Sequence, residues 1–256
     1  MAMGELPRLL RPWKIWSPFW HRRMGFSERL LPLTCVGLVI VLLGLPYLII
    51  NQTMNYIGWS AFDPATALDN QIPFIAWTII PYSSLYIYYP LGAIMAPRND
   101  LGRRKMIALY QTIFLVSWII FLVFIFLPSE IHIRSQIPLE VRGGGGMWGW
   151  AYGNSLHITD KPWNAWPSLH IVQSLLIVLT IEHWWSENPQ SRKKTTARIA
   201  MWLAWMMLAI SILTTKQHFV WDLFSGIIVA LSAWHWILKP TLKWCESDAA
   251  MAHFSN

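Results

Sequence analysis

Residues 164–170 read Asn-Ala-Trp-Pro-Ser-Leu-His, and residues 216–222 read Lys-Gln-His-Phe-Val-Trp-Asp. His218 and Asp222 are four residues apart. On a helix they share a face, and the carboxylate can reach the imidazole. A carboxylate placed there fixes the tautomer of a histidine and raises the basicity of its other ring nitrogen, which can then act as nucleophile or base. The same pair can also serve only to tie helices together, and taken alone the two readings weigh equally. The other group shifts the balance. Ser168 and His170 add a hydroxyl and a second imidazole, and two imidazoles can serve as nucleophile and acid near neutral pH. Lys216 supplies the cation that a developing oxyanion needs. Asn164 reads as a helix cap or as a ligand contact.

The elements that must position these residues are apolar. Only 13% of the 256 residues are charged and 55% are hydrophobic. A soluble chain carries about 25% charged residues, so a water-facing surface cannot be covered. Disorder, collagen and a coiled coil are excluded by the same composition. Six runs approach the ~20 apolar residues of a membrane-spanning helix: 30–50, 73–95, 107–127, 167–185, 199–215 and 219–238. The expected fold class is therefore all-α, a polytopic membrane bundle of six transmembrane helices. Ionisable residues inside such spans are costly and mark function. In this layout both polar groups lie at outer helix starts, where free backbone N–H groups attract anions. The backbone near Leu169 and the Pro167 that suits a first helical turn belong to this reading.

Basic residues set the orientation. Sixteen of the 20 Lys and Arg fall on one side of a six-span layout, including Arg8 to Arg29, Arg98 to Lys105, Arg192 to Arg198, Lys239 and Lys243. The other side holds only Arg134, Arg142, Lys161 and Lys216. The positive-inside rule then places both termini in the cytoplasm and the polar groups outside. The net charge of +7 is mostly this topology signal, so no nucleic-acid partner is expected. The N-terminal 29 residues, rich in Arg and Trp, lack the apolar core of a cleaved signal peptide and read as an interfacial segment. Trp59, Trp166, Trp184, Trp185 and Trp236 fall near span ends, where aromatic anchors gather. Asn51-Gln52-Thr53 is a glycosylation sequon on the outer side.

An outer loop from about 128 to 166 contains Gly143 to Gly146. No Gly-Lys-Ser/Thr follows, so this is not a P-loop, and it reads as a hinge or tight turn. His157 in that loop is a candidate for the rim of a site. Cys35 and Cys245 are too differently placed to pair, and no Cys/His cluster suggests structural zinc.

At these residues the chain resembles the type 2 phosphatidic acid phosphatase superfamily, over about 136–225. Pro167-Ser168-Leu169-His170 matches that superfamily's Pro-Ser-x-His motif. Ser211, His218 and Asp222 match its Ser-Arg-x5-His-x3-Asp motif, with Ile212 in place of Arg. Thr215-Lys216-Gln217-His218 looks like the branch that includes inositol phosphorylceramide synthases. The first motif, Lys-x6-Arg-Pro, is absent as such, and Pro138-Leu139-Glu140-Val141-Arg142 is similar to the branch's degenerate form. The resemblance implies phosphoryl transfer without metal or cofactor. His218 would attack phosphorus, Asp222 would orient it, and His170 would protonate the leaving oxygen. Arg142, Ser168, Lys216, Asn164 and the backbone at Leu169 would hold the phosphoryl oxygens. Ser211 reads equally as a packing serine. The implied substrate is a phospholipid or polyprenyl phosphate in the bilayer, with hydrolysis and transfer to an alcohol both open and a slight tilt towards transfer.

The expected organisation is a cytoplasmic segment (1–29), a six-span phosphatase or phosphotransferase domain (30–238) and a cytoplasmic tail (239–256). The membrane is the plasma membrane or the ER/Golgi. A transporter using His170, His218 and Asp222 as a proton relay is the competing reading. A relay calls for ionisable groups on both sides and deeper in the membrane, whereas here they cluster at one face.

Overall fold

The computed structural model of the chain describes residues 6–186 and 192–255, without the side chains of 192–194 and 255. The start and end of the expected tails, the link between the fourth and fifth runs and the side chains of Arg192, Lys193 and Lys194 lie outside the described residues. In chain order the main helices are α1 (Leu30–Ile57), α2 (Ile79–Ser83), α3 (Leu85–Met95), α4 (Asp100–Phe126), α5 (Leu169–Ser186), α6 (Arg192–Thr214) and α7 (Val220–Trp244). Among the described residues there is no strand, only one isolated bridge between Glu130 and Trp163.

Among the described residues, four helices are long and apolar enough to cross a membrane: α1, α4, α7 and the Thr195–Thr214 part of α6. The expectation of six spans is met for these four. The run 73–95 is not one helix. It breaks into a 3-10 turn at Ala76–Thr78, then α2, then α3. Pro81 and Pro90 each remove a backbone donor, which weakens a continuous helical ladder. The run 167–185 does form a helix, α5, but it carries His170, Gln173, Ser174, Thr180 and Glu182 among its 18 residues.

The packing explains this polarity. Helix α5 is the central element, in contact with α3, α4, α6 and α7, so its sides meet protein. Gln173 donates to Ser117 Oγ at 2.8 Å and accepts the Tyr89 hydroxyl. The Trp205 indole donates to Ser174 Oγ at 3.1 Å. Polar groups shielded in this way are tolerated inside an apolar bundle. Outward-facing residues such as Ile49, Ile119, Leu203 and Ile228 are exposed and apolar, as a lipid-facing surface requires.

The stretches around residues 13–20 and 253–254 pack together at one end of the bundle. Gln111 Oε1 accepts from the Trp13 backbone at 2.9 Å and from the Trp16 indole at 3.1 Å. Trp16 and Trp20 are buried, so this stretch is part of the packed base of the bundle and not only a surface segment. His253 lies 3.0 Å from Pro12 O, and Phe254 packs on Trp20. Many topology-setting cations here have acidic partners: Arg23 with Asp100, Arg103 with Glu28 and Asp100, Lys105 with Glu246. Of the expected aromatic anchors, Trp59 and Trp236 are exposed, whereas Trp184 is buried in the core.

At the other end the 128–166 segment folds over the bundle. Ile131 N bonds Pro162 O at 2.8 Å, and the Tyr152 hydroxyl bonds Ala76 O at 3.1 Å. Asn51 is fully buried and clasps this segment: its Oδ1 accepts from Lys161 N at 2.8 Å and its Nδ2 donates to Lys161 O and Trp163 O. The sequon asparagine is thus a structural anchor. Within the glycine run, Gly144 has φ +89, and a Cβ there would sit 2.7 Å from the Asn154 amide. The run makes a tight turn.

Candidate active site

The close approach of α5 and α7 builds the site. A Cβ on Gly226 would lie 3.0 Å from Ile171 Cβ and 3.2 Å from Ser168 O, so a larger residue would press α5 and α7 apart by a few tenths of an ångström where glycine does not. Their starts are joined by Ser168 N donating to Asp222 O at 3.3 Å. Helix α6 ends in a reversal in which Lys216 takes φ +57 and the N–H groups of Gln217 and His218 both bond Ile212 O. This closure resembles the left-handed C-terminal caps usually made by glycine. It sets His218 one residue before the N-cap of α7.

The two histidines come together. Their ring centroids are 5.5 Å apart with planes at 70°. His218 Nδ1 is 3.2 Å from Ala165 O and 3.4 Å from Asp222 Oδ2. Both neighbours are acceptors, so Nδ1 carries the proton and Nε2 presents its lone pair in the neutral ring. Ser168 Oγ lies 3.4 Å from that Nε2. Asp222 is fully buried, and its Oδ2 also accepts Phe219 N at 2.8 Å, half of a capping box. Among the described residues its Oδ1 has no partner. Tyr82 of α2 stacks on His170 with centroids 4.3 Å apart, which fixes the ring of the second histidine.

The remaining candidates are more dispersed. Lys216 is turned away from the histidines: its Nζ donates to Asp69 O at 2.9 Å and to Ile72 O at 2.5 Å. This ammonium, expected at the phosphoryl oxygens, is committed to the loop that connects α1 to α2. Arg142 ends a one-turn helix, is exposed and donates from Nε to Ile137 O at 2.9 Å. Among the described residues no hydrogen bond or ion pair joins it to His170, His218 or Ser168. Asn164 cannot cap α5, which starts at Leu169. It is buried in a left-handed conformation, φ +67, with both side-chain polar atoms unpartnered. Leu169 opens the first turn of α5, whose N–H groups have no intrahelical acceptor. The start of α7 is less open, because Phe219 N and Val220 N are taken by Asp222 and Asp69. Ser211 bonds Leu208 O within its own helix, the packing role.

His157 reaches the edge of this group, with Nε2 3.4 Å from Gln217 Nε2. Burial first, and then the charges of Arg134, Arg142 and Lys161, together lower its pKa to about 4. Of these three cations, Lys161 also bonds His157 directly, its Nζ donating to His157 O at 3.3 Å. Arg134 itself is buried and paired with Asp160, whose other oxygen accepts the Tyr47 hydroxyl at 2.6 Å.

Sequence reasoning missed Asp69. It is buried, its Oδ1 accepts Val220 N at 2.7 Å and its Oδ2 accepts Thr66 N and Oγ1. Thr66-x-x-Asp69 is legible as a local turn, but nothing local points to residue 220. Tyr82 and the carbonyl of Ala165 carried no signal at all. No group of three or more His, Cys, Asp or Glu among the described residues could hold a metal ion.

Two imidazoles and a buried carboxylate at one end of an apolar helical bundle define the class, and the matched sequence defines the family. The profile of the PAP2 superfamily matches residues 52–236, and the chain belongs to that superfamily. Membership supports a phosphatase-like enzyme acting on lipid phosphates. No curated protein and no solved structure matches the chain.

Proposed function

We propose that this chain is an integral membrane lipid phosphatase or phosphotransferase working through a phosphohistidine on His218. The observation that carries the proposal is the pairing of His170 and His218 at 5.5 Å, with Nδ1 of His218 held by Ala165 O and Asp222. In the first step Nε2 of His218 attacks phosphorus while the bond to the lipid oxygen breaks. His170 gives its proton to that leaving oxygen. In the second step His170 takes a proton from water or an alcohol, whose oxygen attacks phosphorus as the bond to Nε2 breaks. The positive charge that develops on the His218 ring is stabilised by Asp222, and positioning with charge neutralisation is the main demand of phosphoryl transfer.

Ser168 and the first N–H groups of α5, at Leu169, hold phosphoryl oxygens. Arg142 and Asn164, with its unpartnered amide, complete the cradle once a lipid phosphate enters. Lys216 serves the site indirectly by fixing the 58–75 loop. The layout assigned is six crossings, with α2–α3 and α5 completing the set of four clearly apolar spans. Both termini are cytoplasmic, the site is extracytoplasmic, and the boundaries are 1–29, 30–238 and 239–256. The Thr-Lys-Gln-His sequence favours the transferase branch of inositol phosphorylceramide synthases.

The test is turnover by purified protein of phosphatidate, a polyprenyl diphosphate and an inositol-phosphate lipid, with released phosphate and newly formed phosphodiester measured separately. Loss of turnover in both His218→Ala and His170→Ala is expected. Full turnover by His218→Ala would sink the proposal.

A further inference from the structure

The end of the bundle where the 13–20 and 253–254 stretches pack contains a cavity of about 320 Å³ between the start of α1 and the end of α3. Glu28, Arg29, Leu33, Ile94, Arg98 and Arg103 are among its lining residues. Arg103 is already engaged, with Glu28 Oε2 at 2.7 Å and Asp100 Oδ1 at 3.0 Å. Arg29 and Arg98 are exposed, and among the described residues no hydrogen bond or ion pair holds either guanidinium. Leu33 and Ile94 beside them are 57% and 69% exposed, on the outward faces of their helices. The cavity therefore joins two uncompensated guanidinium groups to an apolar wall open to the surroundings of the bundle. Its volume falls within the range of about 300–1,000 Å³ of ordinary ligand sites.

We propose that this cavity binds the headgroup of an anionic membrane phospholipid. Arg29 and Arg98 hold the phosphate, for which the guanidinium fork is suited, and the acyl chains run along Leu33 and Ile94. The complementarity is one of charge and of polarity together: a free phosphate ion would leave the apolar wall uncovered, and a neutral lipid would leave the two cations without a counter-ion. The site is separate from the histidines. Arg29 and Asn51, which anchors the loop at the far end, lie about 33 Å apart along α1 at about 1.5 Å per residue. The proposal thus stands whatever reaction the histidines carry out.

The experiment is native mass spectrometry of detergent-purified protein titrated with phosphatidylglycerol or phosphatidylcholine. Three proteins are compared: wild type, Arg29→Gln/Arg98→Gln, and Lys239→Gln/Lys243→Gln. The last removes the same charge from two exposed lysines at the same end of the bundle, outside the cavity. Among the described residues neither arginine side chain is bonded, so the melting temperature of the first variant should match wild type. Wild type should retain one phosphatidylglycerol in preference to phosphatidylcholine. The arginine variant should lose that preference by about thirtyfold, and the lysine variant should keep it. Equal retention of both lipids by wild type would overturn the proposal, as would an unchanged preference in the arginine variant. An equal loss in both variants would also overturn it, because the attraction would then be diffuse charge.

Discussion

Replacing Asp222 by Asn removes one charge and little else. The carboxylate has two contacts through Oδ2, to Phe219 N at 2.8 Å and to His218 Nδ1 at 3.4 Å, and none through Oδ1. An asparagine that keeps its oxygen in the Oδ2 place preserves the cap of α7 and the tautomer of His218. Its amide nitrogen then falls where Oδ1 had no partner, so the buried donor is unsatisfied and costs about 1–3 kcal/mol of stability. The larger effect is on the reaction. When Nε2 bonds to phosphorus while Nδ1 keeps its proton, the ring gains a positive charge. At 3.4 Å and an effective dielectric constant of about 20, a full charge opposite the carboxylate is stabilised by about 5 kcal/mol. Its loss corresponds to a fall in kcat on the order of 10³–10⁴-fold. The charge exists in the transition state and not in the bound ground state, so KM should change little. The assay is steady-state release of phosphate from a lipid phosphate in mixed micelles, with the melting temperature measured on the same sample. A folded Asp222→Asn protein with kcat within about tenfold of wild type would refute this reasoning.

Three further outcomes follow from the same geometry. Gly226→Ala forces its Cβ against Ile171 and Ser168 O, which should destabilise the protein by about 1–3 kcal/mol. It should also lower kcat by parting the two helix starts, so an unchanged melting temperature and rate would contradict the close-packed crossing. Lys216→Ala leaves the carbonyls of Asp69 and Ile72 without their donor, about 1–3 kcal/mol for each that stays buried; thermal melts should show the loss, whereas unchanged stability with a raised KM would return Lys216 to the phosphate. His157 has its pKa lowered from 6.5 to about 4, so its contribution to stability is complete above pH 6.5 and is lost as pH falls through 4. Melting temperatures between those limits should fall less in His157→Gln than in wild type, and parallel curves would refute the assignment.

The helical architecture was largely legible, because continuous apolar stretches leave the backbone few alternatives to a helix. Runs 30–50, 107–127, 199–215 and 219–238 lie within long apolar helices, overrunning them by at most one residue at an end. The run 73–95 looked equally apolar, yet it breaks near Pro81, between Ser83 and Leu85, and composition alone does not weigh where prolines fall. Helix α5 was legible as a helix but not as the centre of the bundle, since the inter-helix partners of Gln173 and Ser174 come from α3, α4 and α6. The link of His218 to Asp222 was suggested by a four-residue spacing, although His218 precedes the N-cap of α7, and Ser168 and His170 were near neighbours in sequence that the fold brings to His218. Their convergence needed matching positions at two helix starts, which the six-run layout supplied. The direction of Lys216 was not readable, because it depends on carbonyls about 145 residues away in sequence. Asp69 escaped for the same reason: its decisive bond, to Val220 N, is a contact of the folded chain.

The phosphoenzyme itself offers the most direct test. Purified protein mixed with a radiolabelled lipid phosphate, quenched in base during turnover and mapped by peptide mass spectrometry, should carry one acid-labile phosphoryl group on His218. The adduct should vanish in His218→Ala and should be discharged by water or an added alcohol at a rate no slower than kcat. Rapid turnover with no phosphorylated histidine, or with the label on another residue, would contradict the account.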